Sequence, residues 1–214
     1  MSDRHLEARE KSLLKRVDQL RNKLLERDPW QLAQNIGAVY DGHTFHLEVW
    51  QQPIVLSSRD FVAIDVQSGR PGDAVTQAVL AYHLVTADGT PPTSRWIAFR
   101  ELADGKFYAS AFQSYTGTRL AHQFGDDVGA FEASARRIGA SPISLADSGL
   151  RIQVLPQLPL AVVCWLGDED FETSYRLLFD ASADHQLPTD GCAILGSVLT
   201  SKLCAEQSKR ITET

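Results

Sequence analysis

Apolar residues follow helical and strand periods that change along the chain. In the first 27 residues, Leu6, Leu13, Val17, Leu20 and Leu24 are spaced by seven, four, three and four positions. That spacing puts all five on one helical seam. Position 10 would continue it but holds Glu10. No Gly or Pro interrupts residues 2–27, and Asp28-Pro29 ends them, so one helix is expected over 3–27. Asp28 as N-cap and Pro29 at the first helical position start a second helix. Trp30, Leu32, Ala33 and Ile36 share one of its faces, and Gly37 is its C-cap.

The period then shortens to two. Val39-Tyr40 and residues 44–50 predict a hairpin, with Asp41-Gly42 as a type I′ turn. On its second arm Phe45, Leu47 and Val49 face one way, and His46, Glu48 and Trp50 the other. Short strands are expected at 54–57 and 61–66. Asp73 caps a helix over 74–87, a strand follows at 94–99, and residues 105–138 predict helices broken near Gly117 and Gly125. Leu150, Ile152 and Val154 alternate with polar residues, as in a half-exposed strand, whereas 160–166 is continuously apolar, as in a buried one. Tyr175, Leu177 and Phe179 alternate again. Thr189 or Asp190 caps a last helix carrying Ile194, Leu195, Val198, Leu199 and Leu203. Paired strands with clustered helices predict an α+β fold with a mostly antiparallel sheet, flanking helices and an N-terminal amphipathic helix. The expected division is a helical extension over 1–27, one domain over 28–206 and a flexible tail over 207–214.

Charge narrows the function classes. With 27 acidic against 21 basic residues the net charge is −6, which argues against nucleic-acid binding through a general basic field. No apolar run approaches the roughly 18–20 residues of a membrane span, so no membrane insertion is expected. The first residues, MSDRHLEAREK, have no apolar stretch of the secretory type. With three cysteines and no close pair among them, a reducing cytoplasm is the expected compartment. On the seam helix, the polar face with Arg9, Lys11, Lys15, Arg16, Asp18 and Arg21 carries an excess of positive charge. Such a helix is expected to dock on an acidic body, either its own or that of a second copy in a homodimer.

Several constellations carry candidate chemistry. No phosphate-binding glycine motif is present, and Cys164, Cys192 and Cys204 lack metal-ligand spacing. Asp168, Asp170, Asp180, Asp184 and His185 cluster in sequence after a buried strand. They are the candidate ligands for a divalent cation. Antiparallel pairing through a short turn would hold Asp168 and Asp180 at opposite ends of the sheet, so convergence needs another topology. Trp30, Trp50, Trp96 and Trp165 are many for one domain, and Arg95 and Arg100 flank Trp96. Aromatic walls with an arginine suit a flat ligand bearing a carboxylate. The candidate cofactor-binding residues are Trp96, Arg100 and Trp165, with His46, His83 and His122 as axial ligands if the ligand is a metallated tetrapyrrole.

The run Leu155-Pro156-x-x-Pro159-Leu160, Trp165-x-Gly167-Asp168-x-Asp170-Phe171, Leu178-Phe179-Asp180-x-Ser182-Ala183 and Leu187-Pro188 resembles a prokaryotic domain-of-unknown-function family. Asp28-Pro29 with Trp30, Arg95-Trp96-x-x-Phe99-Arg100-Glu101-Leu102 and Leu120-x-x-x-Phe124-Gly125 extend the similarity over residues 28–205. Members of that family are often labelled corrinoid/iron–sulfur proteins. The resemblance implies a link to tetrapyrrole, corrinoid or other metallocofactor metabolism. The cysteine motif behind the iron–sulfur label is missing here, so an iron–sulfur cluster is not expected.

Three functions follow as expectations. The first is a non-catalytic binding or accessory protein for a tetrapyrrole, a corrinoid or a protein carrying such a cofactor. The second is a divalent-cation-dependent enzyme built on Asp168–His185. The third is an interaction module working through the N-terminal helix.

Overall fold

The computed structural model describes residues 3–212, and the side chains of residues 10–209. Helix α1 (Asp3–Leu24) is continuous, as the absence of breakers requires. Asp28 accepts a hydrogen bond from Trp30 N–H, which starts α2 (Pro29–Ile36), and Gly37 ends it in the left-handed conformation at φ 68°. The seam of α1 packs on α3 (Ala74–Thr86) of the same chain. Val17 and Leu20 are buried against Ala78 and Ala81, with Leu13, Tyr82 and Val85 around them, and Leu24 joins the main core. Arg21 donates to Phe61 O and to Gln77 Oε1, and Arg27 donates to Val85 O at 3.1 Å. The outward positions Lys11, Lys15 and Arg16 are exposed. Leu6 and Arg9 lie outside the described side chains.

Nine strands form two sheets among the described residues, antiparallel throughout, so the fold is α+β with flanking helices. The smaller sheet is a meander of β1 (Val39–Tyr40), β2 (Thr44–Val49), β3 (Gln52–Ser57) and β4 (Ala63–Asp65). The larger has the order β5-β9-β8-β7-β6. Its strands are β5 (Trp96–Ala98), β6 (Ser141–Ile143), β7 (Ser148–Leu155), β8 (Leu158–Trp165) and β9 (Ser174–Asp180). The helices α4 (Ala109–Tyr115), α5 (Gly117–Phe124), α6 (Val128–Arg137) and α7 (Thr189–Thr212) cover one face of this sheet. Tyr175 Oη donates to Gly125 O, and Ser148 Oγ donates to Glu132 on α6. At the start of α5, any side chain on Gly117 would strike Tyr175 O, so this break in the helical pattern also permits close packing.

Four local expectations change. The first hairpin turns at Gly42-His43 instead of Asp41-Gly42, because the Asp41 carboxylate accepts from His43 N–H and Thr44 N–H while Asp41 N–H donates to Thr44 O. Trp50 leaves the strand: Val49 pairs with Gln52, and Trp50 (φ 53°) and Gln51 (φ 62°) form the turn. Strand β6 has too little alternation to be read from sequence. Finally, α7 continues to Thr212 with Gln207 buried, where a flexible tail was expected from residue 207.

Candidate open-sheet binding face

The helix-free arrangement of polar residues on the larger sheet follows from register. Tyr175, Leu177 and Phe179 point to the helices, opposite Cys164, Val162 and Leu160. Arg176 and Leu178 then lie opposite Val163 and Ala161 on the other face, and Ala161 in turn lies opposite Arg151. Trp165 and Ser174 pair at one end of that face, and Trp96 pairs with Asp180 at the other. Ala161 and Val163 are buried, whereas Arg176 and Trp165 are exposed and Arg151, Gln153, Trp96 and Leu178 are half-buried. The Arg176 guanidinium lies 5.6 Å from the Trp165 ring centroid, a cation–π contact. Arg151 donates to Gln153 Oε1 at 2.6 Å. The face therefore combines two arginines and two tryptophans, and Asp180 is the one carboxylate among its paired strand residues.

Asp180 is fully buried and not available to a ligand. It accepts from Thr93 N–H and Oγ1–H, Ser94 N–H, and Ser182 N–H and Oγ–H at 2.7–3.0 Å. Burial pushes its pKa up, but the bonds from Thr93 and Ser182 outweigh that and hold it below the usual carboxylate range. It thus fastens the 93–95 loop and the turn after β9 to the sheet.

Trp96 and Trp165 share the face but not a pocket. The strand from Ser174 to Asp180 separates them by roughly 20 Å at about 3.3 Å per residue. Arg100 is not on the face, because the chain leaves the sheet in a 3₁₀ turn at Phe99–Glu101. The histidines proposed as axial ligands lie on three elements away from it. His46 is on β2, 3.0 Å from Asp41 Oδ2, a contact that with the loop amides lowers the Asp41 pKa to about 2. His122 is exposed in the last turn of α5. His83 is fully buried on α3, its Nδ1 3.0 Å from Gln186 O. A histidine-ligated tetrapyrrole therefore does not fit these residues.

Burial pushes the His83 pKa down from 6.5 to about 4. The folded state thus disfavours the protonated form. Stability linked to His83 is complete above pH 6.5 and declines as pH falls toward about 4, a loss of about 3 kcal/mol. Urea unfolding at stepped pH is expected to show this decline, and His83→Asn, whose amide can donate to Gln186 O without titrating, is expected to flatten it. An unchanged pH profile in that variant would remove His83 as the cause.

The acidic cluster does not converge. Asp168 and Asp170 lie in the loop between β8 and β9, whereas Asp180 is the last residue of β9 and Asp184 and His185 lie just beyond it. Asp168 closes its own loop, accepting from Asp170 N–H and Phe171 N–H at 2.9 Å. His185 pairs with Asp88 at 2.7 Å, which raises its pKa and draws that of Asp88 well below the carboxylate range. Among the described residues, no group of three or more His, Cys, Asp or Glu side chains is placed to hold a metal ion. Antiparallel pairing of β8 with β9 is the physical reason. The three cysteines are buried, and burial raises each thiol pKa.

Sequence reasoning singled out Trp165 but missed Arg151 and Arg176. Their signal was the polar phase of two alternating strands, but only register shows that β8 carries both phases to one face.

The architecture defines an α+β protein with two antiparallel sheets, one of which presents an aromatic and basic face to solvent. Residues 28–202 match the family described as Domain of unknown function (DUF3786), and the chain belongs to that family. No curated protein and no solved structure matches it. The matched segment begins at the Asp28 cap, so α1 precedes it. No helix among the described residues is long and apolar enough to cross a membrane.

Proposed function

We propose that the protein is a non-catalytic binding or accessory module whose open sheet face holds a planar ligand bearing carboxylates. The observation that carries this reading is the grouping of Trp165, Arg176 and Arg151 around the small residues Ala161 and Val163. A flat ring can lie across the face against the Trp165 indole, while its carboxylates meet the guanidinium groups. Tetrapyrroles with acidic side chains belong to this ligand class. Here the ring would be held by its face and its carboxylates, without an axial histidine.

The test is a titration of the full chain with metal-free protoporphyrin IX, haemin and cobalamin, followed by absorption and tryptophan fluorescence. Protoporphyrin IX and haemin are expected to bind alike, because no histidine distinguishes them. Cobalamin, whose periphery carries amides, is expected to bind more weakly. Trp165→Ala and Arg176→Glu should each reduce affinity roughly tenfold or more, the effect of one charge-assisted bond or aromatic contact. Failure of both porphyrins to shift the spectrum, or binding indifferent to both substitutions, overturns the proposal.

A further inference from the structure

The turn at Trp50-Gln51, the end of α6 and one face of α7 enclose a cavity of about 320 Å³. That is at the lower end of the roughly 300–1,000 Å³ usual for small-molecule sites. Arg136 and Arg137 line it from the last turn of α6, and Lys202 lines it from α7. Trp50, Gln51 and Gln52 close the other side, with no carboxylate among the lining residues. Three cations therefore converge on one cavity in a chain whose net charge is −6. The C-terminal end of α6 contributes roughly half a negative charge there, which the three outweigh.

Each cation is positioned by one neighbour and keeps donors free. Arg136 donates to Glu132 Oε2 at 2.7 Å, and Ser148 Oγ donates to the other oxygen of that carboxylate. Arg137 donates to the backbone oxygen of Glu206 at 3.4 Å, while the Glu206 carboxylate pairs with Lys209. The Lys202 ammonium lies 5.5 Å from the Trp50 ring centroid. Among the described residues, neither Arg137 nor Lys202 forms an ion pair. A guanidinium has five N–H donors and an ammonium three, so one contact each leaves most of them to a ligand. Trp50 and Gln51 both hold positive φ, at 53° and 62°, and Gln51 Nε2 donates to Gly139 O at 2.8 Å. Backbone held in that region by tertiary contacts concentrates at ligand sites. Here it sets the indole against Lys202 and the Gln51 amide against the end of α6.

We infer that this cavity binds a small anion carrying a diphosphate group. The guanidinium forks match the geometry of phosphoryl oxygens, and Lys202 acts as a point charge between helix and indole. Two linked phosphoryl groups answer three cations better than a single carboxylate does, and Gln52 supplies a neutral amide at the rim. None of these residues belongs to the open sheet face, so the site is independent of the planar-ligand reading.

Titration calorimetry of the full chain with pyrophosphate, and with inorganic phosphate, sulfate and citrate in parallel, tests this. Pyrophosphate is expected to bind with a Kd below about 1 mM, more tightly than the other three, and more weakly as salt is raised. ADP binding more tightly than pyrophosphate would identify a nucleotide as the source of the group, and the reverse order a free diphosphate. Lys202→Gln and Arg137→Gln should each reduce pyrophosphate affinity roughly tenfold or more, the cost of a lost charged hydrogen bond. Arg137 is exposed, so its variant is expected to melt as the wild type does and carries the test even where Lys202→Gln unfolds the chain. Absence of saturable binding, citrate binding as tightly as pyrophosphate, or pyrophosphate binding indifferent to Arg137→Gln overturns the inference. Arg137→Gln should leave porphyrin binding intact and Trp165→Ala should leave pyrophosphate binding intact, so the two sites can fail separately.

Discussion

Replacing Asp180 with Ala is expected to destabilise the protein by about 3–5 kcal/mol, the range for breaking a buried charged network by removing its acceptor. Five donors from Thr93, Ser94 and Ser182 would lose their shared acceptor in a site closed to water. Ser94 holds φ 60°, a conformation that a side chain rarely adopts unless its surroundings impose it. The expected secondary effect is loosening of residues 93–95, seen as faster amide exchange there. Asp180→Asn should be milder, because its carbonyl oxygen still accepts while its amide faces donors. Because the folded carboxyl has a lowered pKa, its contribution is present above the unfolded value of 3.8 and disappears as pH falls through the folded one. An Asp180→Ala protein as stable as wild type in chemical denaturation would show that the network does not hold the loop.

Removing residues 1–27 is the second large effect. It strips Val17, Leu20 and Leu24 from the body, and these side chains are 0%, 3% and 0% exposed. At roughly 1.5–3 kcal/mol each, the loss is about 4–9 kcal/mol as an upper bound. That is comparable to the whole stability of a typical domain, about 5–15 kcal/mol. The melting temperature is expected to fall by roughly 10–30 °C, at about 2–4 °C per kcal/mol for a chain of this size. Truncation would also expose Ala78 and Ala81 on α3, so self-association of the truncated chain is expected by light scattering. Leu20→Asp should reproduce a good part of the loss with the chain length unchanged. A truncated protein melting within about 2 °C of the full chain would mean that α1 is not part of the folding unit.

The helices were legible because their boundaries are local. Asp28, Pro29 and Gly37 set both ends of α2, and the Asp73 side chain caps α3 by accepting from Thr76 N–H. β7, β8 and β9 were legible because apolar period and length separate a half-exposed strand from a buried one. The seam of α1 could be read as buried, but not against what. A helix face has the same pattern whether it meets its own domain or a second chain, and only the placement of Ala78 and Ala81 resolves that choice.

The turn at Trp50-Gln51 shows the opposite case. Neither residue favours positive φ, and local preference extends the strand through Trp50. Contacts distant in sequence hold the turn: Trp50 N–H donates to Val154 O, Lys202 lies 5.5 Å from the indole centroid, and Gln51 donates to Gly139 O. Tertiary bonds outweigh a local penalty of about 1–2 kcal/mol per residue.

The candidate site divides in the same way. Trp96 and Trp165 stood out by type, and Arg176 and Arg151 were visible as polar positions within strands. Residue type and period determined that Arg151 and Arg176 lie on the polar phase of their strands, that the chain is α+β, and that α1 has something to cover. Only the tertiary structure decided which outward residues are neighbours. Each strand's alternation is indifferent to its partner and register. The pairing of Ala161 with both Leu178 and Arg151 gathers arginines that lie 25 residues apart in sequence, while the antiparallel run of β9 holds Asp168 and Asp180 a full strand length apart.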